Sequence, residues 1–263
     1  MNGSPQRLDA LLVERGLAES RSRAQGLILS GSVRVGDRVV TKAGSRVAPD
    51  EPLAVERADR FVSRAGEKLE GALDEFGIPI EGRLCIDAGA STGGFTDVLL
   101  KRGAERVLAV DVGYGQLDWS LRNDPRVVVV ERTNVRHLGG EDLPFGPDLL
   151  VADLSFISLT VALERLFLTT PSLREAVVLV KPQFEAGRES VGRGGLVRDL
   201  GVHAAVIRRV VDFFERQGFG VVGVARAAVA GRKSGNQEYP LHLVRGARTS
   251  LDDARIRGVV GGG

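Results

Sequence analysis

The sequence is poor in the residues from which cross-linked, metal-bound and membrane-spanning proteins are built. It has one cysteine, Cys85, among 263 residues, which excludes an internal disulfide and a cysteine-based zinc site. Cys85 lies in an apolar strand pattern and reads as a small core residue. The three histidines, His137, His203 and His242, show no ligand spacing, so no metal is expected. No run reaches the roughly 18 uncharged apolar residues of a membrane-spanning helix. The opening Met-Asn-Gly-Ser-Pro-Gln-Arg lacks the apolar stretch of a signal peptide, so the cytoplasm is the expected compartment. Aromatic residues make up 5%, with a single tryptophan, Trp119, and no internal repeat is visible.

What is present describes a soluble globular chain: 27% charged, 43% hydrophobic, long enough for one or two domains. The net charge of +2 hides an asymmetry. Residues 1–60 hold ten Lys/Arg and eight Asp/Glu, whereas the remaining 203 residues hold 26 of each. Within residues 1–46 the balance is eight basic to four acidic. A small basic module beside a neutral larger one suggests an anionic partner, although a solvated surface of +4 is the plainer alternative.

Leu8, Leu11, Leu12 and Leu17 give a short amphipathic helix ended near Gly16. Ser20 reads as the N-cap of a second helix with Ala24, Leu27 and Ile28 on one face, stopped by Gly31. Val33-Arg34-Val35 and Arg38-Val39-Val40 flank Gly36-Asp37, a hairpin signal. Arg7, Arg21, Arg23, Arg34, Arg38 and Lys42 stand outside the apolar set. Residues 1–56 are expected to form this module and 57–66 a linker. A helix over 67–77 follows, with Leu69, Ala72, Leu73 and Phe76 as its buried stripe.

The most informative stretch is Leu84-Cys-Ile-Asp87-Ala-Gly89-Ala-Ser91-Thr-Gly93-Gly94-Phe95-Thr96. A strand ends in an acid, a small-residue loop follows, and a helix begins. Glycines let backbone approach a ligand, and the helix offers its free N–H groups. The glycine spacing, G-x-x-x-G-G, fits neither the dinucleotide fingerprint nor a phosphate loop, which needs Gly-Lys-Ser/Thr. It resembles the loop with which class I methyltransferases hold S-adenosylmethionine. The next apolar run ends in Asp111, about 20 residues on, placed to accept ribose hydroxyls. A plain strand-to-helix turn remains the simpler alternative for the loop taken alone.

From residue 83 onward strand and helix patterns alternate. Strands are expected near 84–87, 107–110, 127–130, 148–152 and 176–180, and helices near 93–102, 116–122, 159–168 and 202–217. The fold class is therefore α/β, Rossmann-like with a mostly parallel sheet. Two late strands, near 219–228 and 239–244, form a C-terminal antiparallel hairpin, the class I methyltransferase arrangement. Residues 67–245 form this domain, and 246–263 are expected to be a loose tail.

Ligands of open parallel sheets sit beyond the carboxyl ends of the strands. Asp153 ends one strand, Lys181 ends the next, Glu238 opens the last, and Lys68 opens the first helix. Each has a bland reading: a strand-end cap, a solvated lysine, the polar face of a helix. As a set they do not, because the order Lys–Asp–Lys–Glu matches a known tetrad. Phe61-Val-Ser-Arg64-Ala-Gly-Glu-Lys68, the 87–96 loop, Asp111-Val112-Gly-Tyr-Gly-Gln, Leu121-Arg-Asn-Asp-Pro-Arg-Val, Asp153-Leu-Ser-Phe-Ile-Ser and Lys181-Pro-Gln-Phe-Glu closely resemble the TlyA family. These are bacterial ribosomal-RNA 2′-O-methyltransferases with an N-terminal S-four-type (alpha-L) RNA-binding domain, small and α+β, before an FtsJ-like domain. The resemblance covers about residues 6–245.

It implies Lys68, Asp153, Lys181 and Glu238 as the catalytic tetrad. Around S-adenosylmethionine it implies Asp87, Gly89, Ser91, Gly93, Gly94, Phe95, Asp111 and Val112, with Asn134 and Val135 near the adenine. It implies cytidine 2′-hydroxyls of ribosomal RNA or ribosomal subunits as substrate, held by Arg7, Arg21, Arg23, Arg34, Arg38, Lys42 and Arg64. Some members carry a tryptophan in the linker where this chain has Phe61. Chemically, a 2′-hydroxyl attacks only when its proton is drawn away and its oxygen lies in line with the methyl. A lysine accepts that proton when a second ammonium and burial favour its neutral state. Lys181 is the expected base, Lys68 its tuner, and Asp153 and Glu238 its orienters. Rival readings are a non-catalytic RNA-binding protein, a nicotinamide dehydrogenase, and a membrane-lytic haemolysin. The intact tetrad, the glycine spacing and the lack of a basic amphipathic stretch argue against them in turn.

Overall fold

The structure, a computed structural model, describes residues 5–18, 20–29, 31–55, 60–229 and 235–262. The chain forms two units, Met1–Arg60 and Phe61–Gly263.

The smaller unit contains β1 (Gln6–Arg7), α1 (Leu8–Glu14), α2 (Arg21–Leu29), β2 (Val33–Val35), β3 (Arg38–Val39), β4 (Arg46–Val47) and β5 (Leu53–Val55). Leu8, Leu11 and Leu12 recur at helical spacing and bury against Ala24, Leu27 and Ile28 of α2 and the valines of β2. Gly16, at φ +68, lets the chain leave α1 in a left-handed turn. The expected hairpin forms with Val35 opposite Arg38, and β5 pairs with the other edge of β2. A two-residue ladder, Gln6 with Val47 and Arg7 with Arg46, ties β1 to β4. Two residues carry no readable periodicity, so sequence pattern missed it.

The larger unit runs α3 (Ala65–Phe76), β6 (Leu84–Ala88), α4 (Gly94–Lys101), β7 (Arg106–Val110), α5 (Trp119–Arg122), β8 (Val127–Val130), β9 (Leu149–Ala152), α6 (Leu159–Thr169), β10 (Glu175–Val180), α7 (Pro182–Glu185), α8 (Leu200–Arg216), β11 (Phe219–Val224), β12 (Tyr239–Arg245) and α9 (Asp253–Gly261). One sheet has the order β11-β12-β10-β9-β6-β7-β8. Only β12 runs against its neighbours. The strands are apolar on both faces because both faces are covered. Cys85, Val107, Leu149 and Val151 face α3 and α4. Ile86, Leu108, Leu150 and Val178 face α6 and α8. The chain goes from β6 outward to β7 and β8, then returns to lay β9 on the other side of β6. That reversal opens a crevice at the carboxyl ends of β6 and β9.

Two expected boundaries move. The linker was placed at 57–66, of which 57–59 lie outside the described residues. From Phe61 the chain already belongs to the larger unit. Phe61 is buried against Gly66, where a Cβ would come within 2.5 Å of its ring. The Val62 N–H donates to Asp97 Oδ2 at 2.9 Å. Within the tail expected at 246–263, residues 251–261 are likewise not loose. Asp252 caps α9 through the Arg255 N–H at 2.7 Å, and Leu251, Ile256 and Val260 are buried in the core beside α8. The terminal glycines obscured this short amphipathic helix. Replacing Ile256 by Ala is expected to cost about 2–4 kcal/mol of unfolding free energy in urea denaturation. A tail without structure would give no change.

Candidate active site

The carboxyl ends of β6, β7 and β9 build the crevice. The Gly89 and Ala90 N–H groups both donate to the Val110 carbonyl, at 2.9 and 3.0 Å, which draws the loop after β6 across β7. Gly89 has φ +89, and a Cβ there would lie 2.9 Å from Leu154 and 3.0 Å from the Asp153 carbonyl, so glycine is required on two counts. Ser91 takes a left-handed conformation at φ +48, uncommon for a residue with a side chain. Its N–H donates to Asp111 Oδ2 at 2.8 Å, while Asp111 Oδ1 accepts from the Gly113 N–H at 2.7 Å. These charge-assisted bonds help offset the strain and fix the two loops to each other.

The resulting cleft has a volume of about 850 Å³. Gly89, Ser91, Asp111, Val112, Asn134 and Val135 line it, together with Asp153 and Phe156. Gly94 and Phe95 line an adjoining recess of about 150 Å³ that also receives Ser63, Asp153, Ser155 and Lys181. Gly93 and Asp87 line neither. Gly93, at φ +97, lets α4 pack against Leu117 and Leu121, which a Cβ would strike at 2.8 and 2.3 Å. Asp87 is fully buried and accepts from Thr96 Oγ1 at 2.7 Å. These two shape the site from behind. Sequence reasoning did not single out Gln116, Thr133, Leu154, Ser155, Phe156 and Ile157, which also line the cleft. Four of them directly follow Asp153, and that adjacency was the signal available. Phe156 is 86% exposed, sits at φ +66, and lies 5.1 Å from the Phe184 ring.

The four charged residues meet, although 170 positions separate Lys68 from Glu238. Lys68 Nζ lies 2.6 Å from Glu238 Oε2 and 3.8 Å from Asp153 Oδ2. Lys181 Nζ lies 2.6 Å from Asp153 Oδ1 and donates to Ser155 Oγ at 3.0 Å. Lys181 and Glu238 are buried, and Lys68 and Asp153 nearly so. An ammonium has three donors; Lys181 gives one to Ser155, pairs by charge with Asp153, and faces the recess. Among the described residues the cleft itself is lined by two carboxylates, Asp111 and Asp153, and by no lysine or arginine.

On the smaller unit the expected basic residues fall into two groups. Arg7 grips the buried Asp9 carboxylate with Nε at 3.0 Å and Nη2 at 2.8 Å, and Arg21 approaches it at 3.5 Å. Arg38 and Lys42 line a surface groove of about 410 Å³ with Arg46, which the sequence reading had not named. Arg34 donates to the Asp37 carbonyl at 3.2 Å and rides on the hairpin. The Arg23 side chain lies outside the described residues. Arg64 is exposed, precedes α3 and belongs to the larger unit. Among the described residues no group of three or more His, Cys, Asp or Glu side chains could hold a metal ion. No described helix is long and apolar enough to cross a membrane.

Comparison with known proteins matches residues 61–245 to the FtsJ-like methyltransferase family. The chain belongs to that family. Residues 6–53 of this FtsJ-like methyltransferase match the S4 domain. It is 50% identical over 252 residues to the 16S/23S rRNA (cytidine-2′-O)-methyltransferase TlyA of Mycobacterium tuberculosis, covering 94% of this chain and 91% of that one. It is 42% identical over 239 residues to Hemolysin A of Brachyspira hyodysenteriae, covering 90% and 99%. A solved chain from Streptococcus thermophilus, provisionally called a hemolysin, superposes with a TM-score of 0.75 at 38% identity, covering 98% and 95%.

Burial pushes the Asp87 carboxyl up to about 7, only partly opposed by its bonds from Thr96. The unfolded carboxyl titrates near 3.8. The contribution to stability is therefore fully present below pH 3.8 and lost as pH rises through about 7. The Asp87→Asn variant cannot titrate there. Its stability relative to wild type is expected to improve by roughly 2–3 kcal/mol between pH 5 and pH 8. Thermal melts across that range check it, and a constant difference contradicts it.

Proposed function

We propose that this chain transfers a methyl group from S-adenosylmethionine to the 2′-hydroxyl of a cytidine in ribosomal RNA. The observation that carries the reading is the buried chain Glu238–Lys68–Asp153–Lys181 at the edge of a cleft whose charged lining, among the described residues, is Asp111 and Asp153. A dinucleotide or other phosphate-bearing cofactor calls for N–H nests, lysine or arginine. A cleft with two carboxylates and apolar walls suits instead a cofactor that carries a sulfonium cation, a ribose and a flat base. Asp111 retains acceptor capacity for ribose hydroxyls beyond its two backbone bonds. Val112 and Val135 offer apolar surface to a base, and Asn134 a polar group beside it. Gly89 and Ser91 bring backbone to the cleft floor. When bound, S-adenosylmethionine supplies an electrophilic methyl group and a neutral thioether as leaving group.

The residues of the chain supply the rest. Once Lys181 has released its own proton to solvent, the lone pair on its neutral Nζ takes the 2′-hydroxyl proton, and the ammonium forms again. Asp153 and Ser155 fix the direction of that nitrogen, and Lys68, itself held by Glu238, keeps a second positive charge beside the same carboxylate. Positioning supplies much of the rate, because the attacking oxygen must lie in line with the methyl carbon. Phe156, an exposed ring at the cleft mouth, offers a face on which the acceptor base stacks. The cations of the S4 unit hold RNA phosphates, and the target reading rests on the name of the mycobacterial relative.

The test is transfer of labelled methyl groups to isolated ribosomal subunits, followed by mapping of the modified nucleotide. Lys181→Ala is expected to lower kcat at least 100-fold, the scale of a lost general base, with cofactor Kd changed less than threefold. Wild-type turnover by that variant overturns the assignment. Replacing Arg38 and Lys42 by Ala is expected to reduce the slope of log affinity against log salt for RNA by about 2, without change in cofactor binding.

A further inference from the structure

Two segments deliver the central pair of the site. Asp153 begins the loop Asp153–Ser158 between β9 and α6, and Lys181 begins the turn Lys181–Glu185 after β10. They touch at their first residues, where Lys181 meets Asp153 and Ser155. They also touch at their last. Glu185 Oε2 accepts from Ser158 Oγ at 2.6 Å, and Oε1 accepts from the Leu159 N–H at 2.7 Å. Glu185 is buried, and both its oxygens are spent on the first turn of α6. Between the two ends Phe156 leans on Phe184.

We infer that Glu185 is a positioning residue, which closes the far end of this loop pair and so sets where Asp153, Ser155 and Phe156 stand relative to Lys181. Neither segment is regular enough to hold itself. The 153–158 loop has no helix or strand and contains a left-handed Phe156, and α7 is a single turn. The ion pair at the near end fixes only side-chain tips. Glu185 fixes the N-terminus of α6, a rigid element of 11 residues whose Leu159, Leu163 and Leu166 are locked in the core. Glutamine keeps the length and shape of the Glu185 side chain and one of its two acceptor oxygens. Glutamine accepts from the Leu159 N–H through Oε1 and donates to Ser158 Oγ through Nε2. Glu185 touches none of the residues assigned to the cofactor.

The inference rests on the proposed methyl transfer. If the wild type moves no methyl group to ribosomal subunits, that reading fails and not this one. With an active wild type, the assay is run at least 15 °C below the melting temperature of each variant. Glu185→Ala is expected to lower kcat more than tenfold, with cofactor Kd within threefold, and Glu185→Gln to restore kcat to within threefold of wild type. Ser158→Ala is expected to lower kcat more than threefold, and the double variant to be no slower than Glu185→Ala. A stabilising contact alone would lower the melting temperature and leave kcat of the folded protein unchanged. Wild-type kcat in Glu185→Ala, or a loss that tracks cofactor affinity, overturns the inference. Should Glu185→Ala fail to fold, Ser158→Ala decides, and wild-type kcat there overturns it equally.

Discussion

One carboxylate, Asp153, holds the site together. It stands between two ammonium groups that would otherwise repel each other in a shielded pocket, and Glu238 closes the row on the other side. Charges alternate along the row and sum to zero. Burying four charges costs several kcal/mol each in lost hydration, and the cost is offset only when every member finds its partner. The arrangement is thus all or nothing: removing one member leaves a buried charge uncompensated. Groups held this way lose little freedom when substrate arrives, which favours reaction over mere binding.

The sheet makes this row possible. Asp153 and Lys181 leave adjacent parallel strands, β9 and β10; because Val178 pairs with Ala152, β10 runs on past the end of β9 and delivers Lys181 two residues beyond the level of Asp153. Glu238 enters β12 opposite the end of β10, because β12 is antiparallel and starts where β10 stops. Lys68 descends on α3, which packs on α4 over the same sheet edge. Three strands and a helix converge because the crossover rules of the fold allow few alternatives. Gly89, pressed against the Asp153 carbonyl, couples this row to the cofactor cleft.

The alternating apolar runs made the central sheet legible, since strands covered on both faces are continuous hydrophobic words. The four charged residues were legible as well, though through a resemblance of ordered motifs and not through any single residue. The division of labour inside the glycine loop was not. Gly89 and Gly93 look alike in sequence, yet one makes room beside the cleft and the other makes room for Leu121. A glycine states that space is needed but not what fills it. Phe95, which the resemblance places around the cofactor, is chiefly core. The helix at 253–261 hid behind glycines because its stability comes from docking on α8, a tertiary fact. Ser158 and Glu185 stood inside recognised motifs without a role, because their meaning lies in the bond between them.

Electrostatics separates the two halves of the task. Under the proposed reaction, a polyanion and a sulfonium cofactor need opposite potentials. Among the described residues the cleft walls carry no arginine or lysine, and the two lysines near the cleft are paired with carboxylates. On the S4 unit Arg38, Lys42 and Arg46 share one groove with a single carboxylate, Glu51, which lies 3.9 Å from Arg38. A neutral-looking total of +2 is the sum of these opposed local choices.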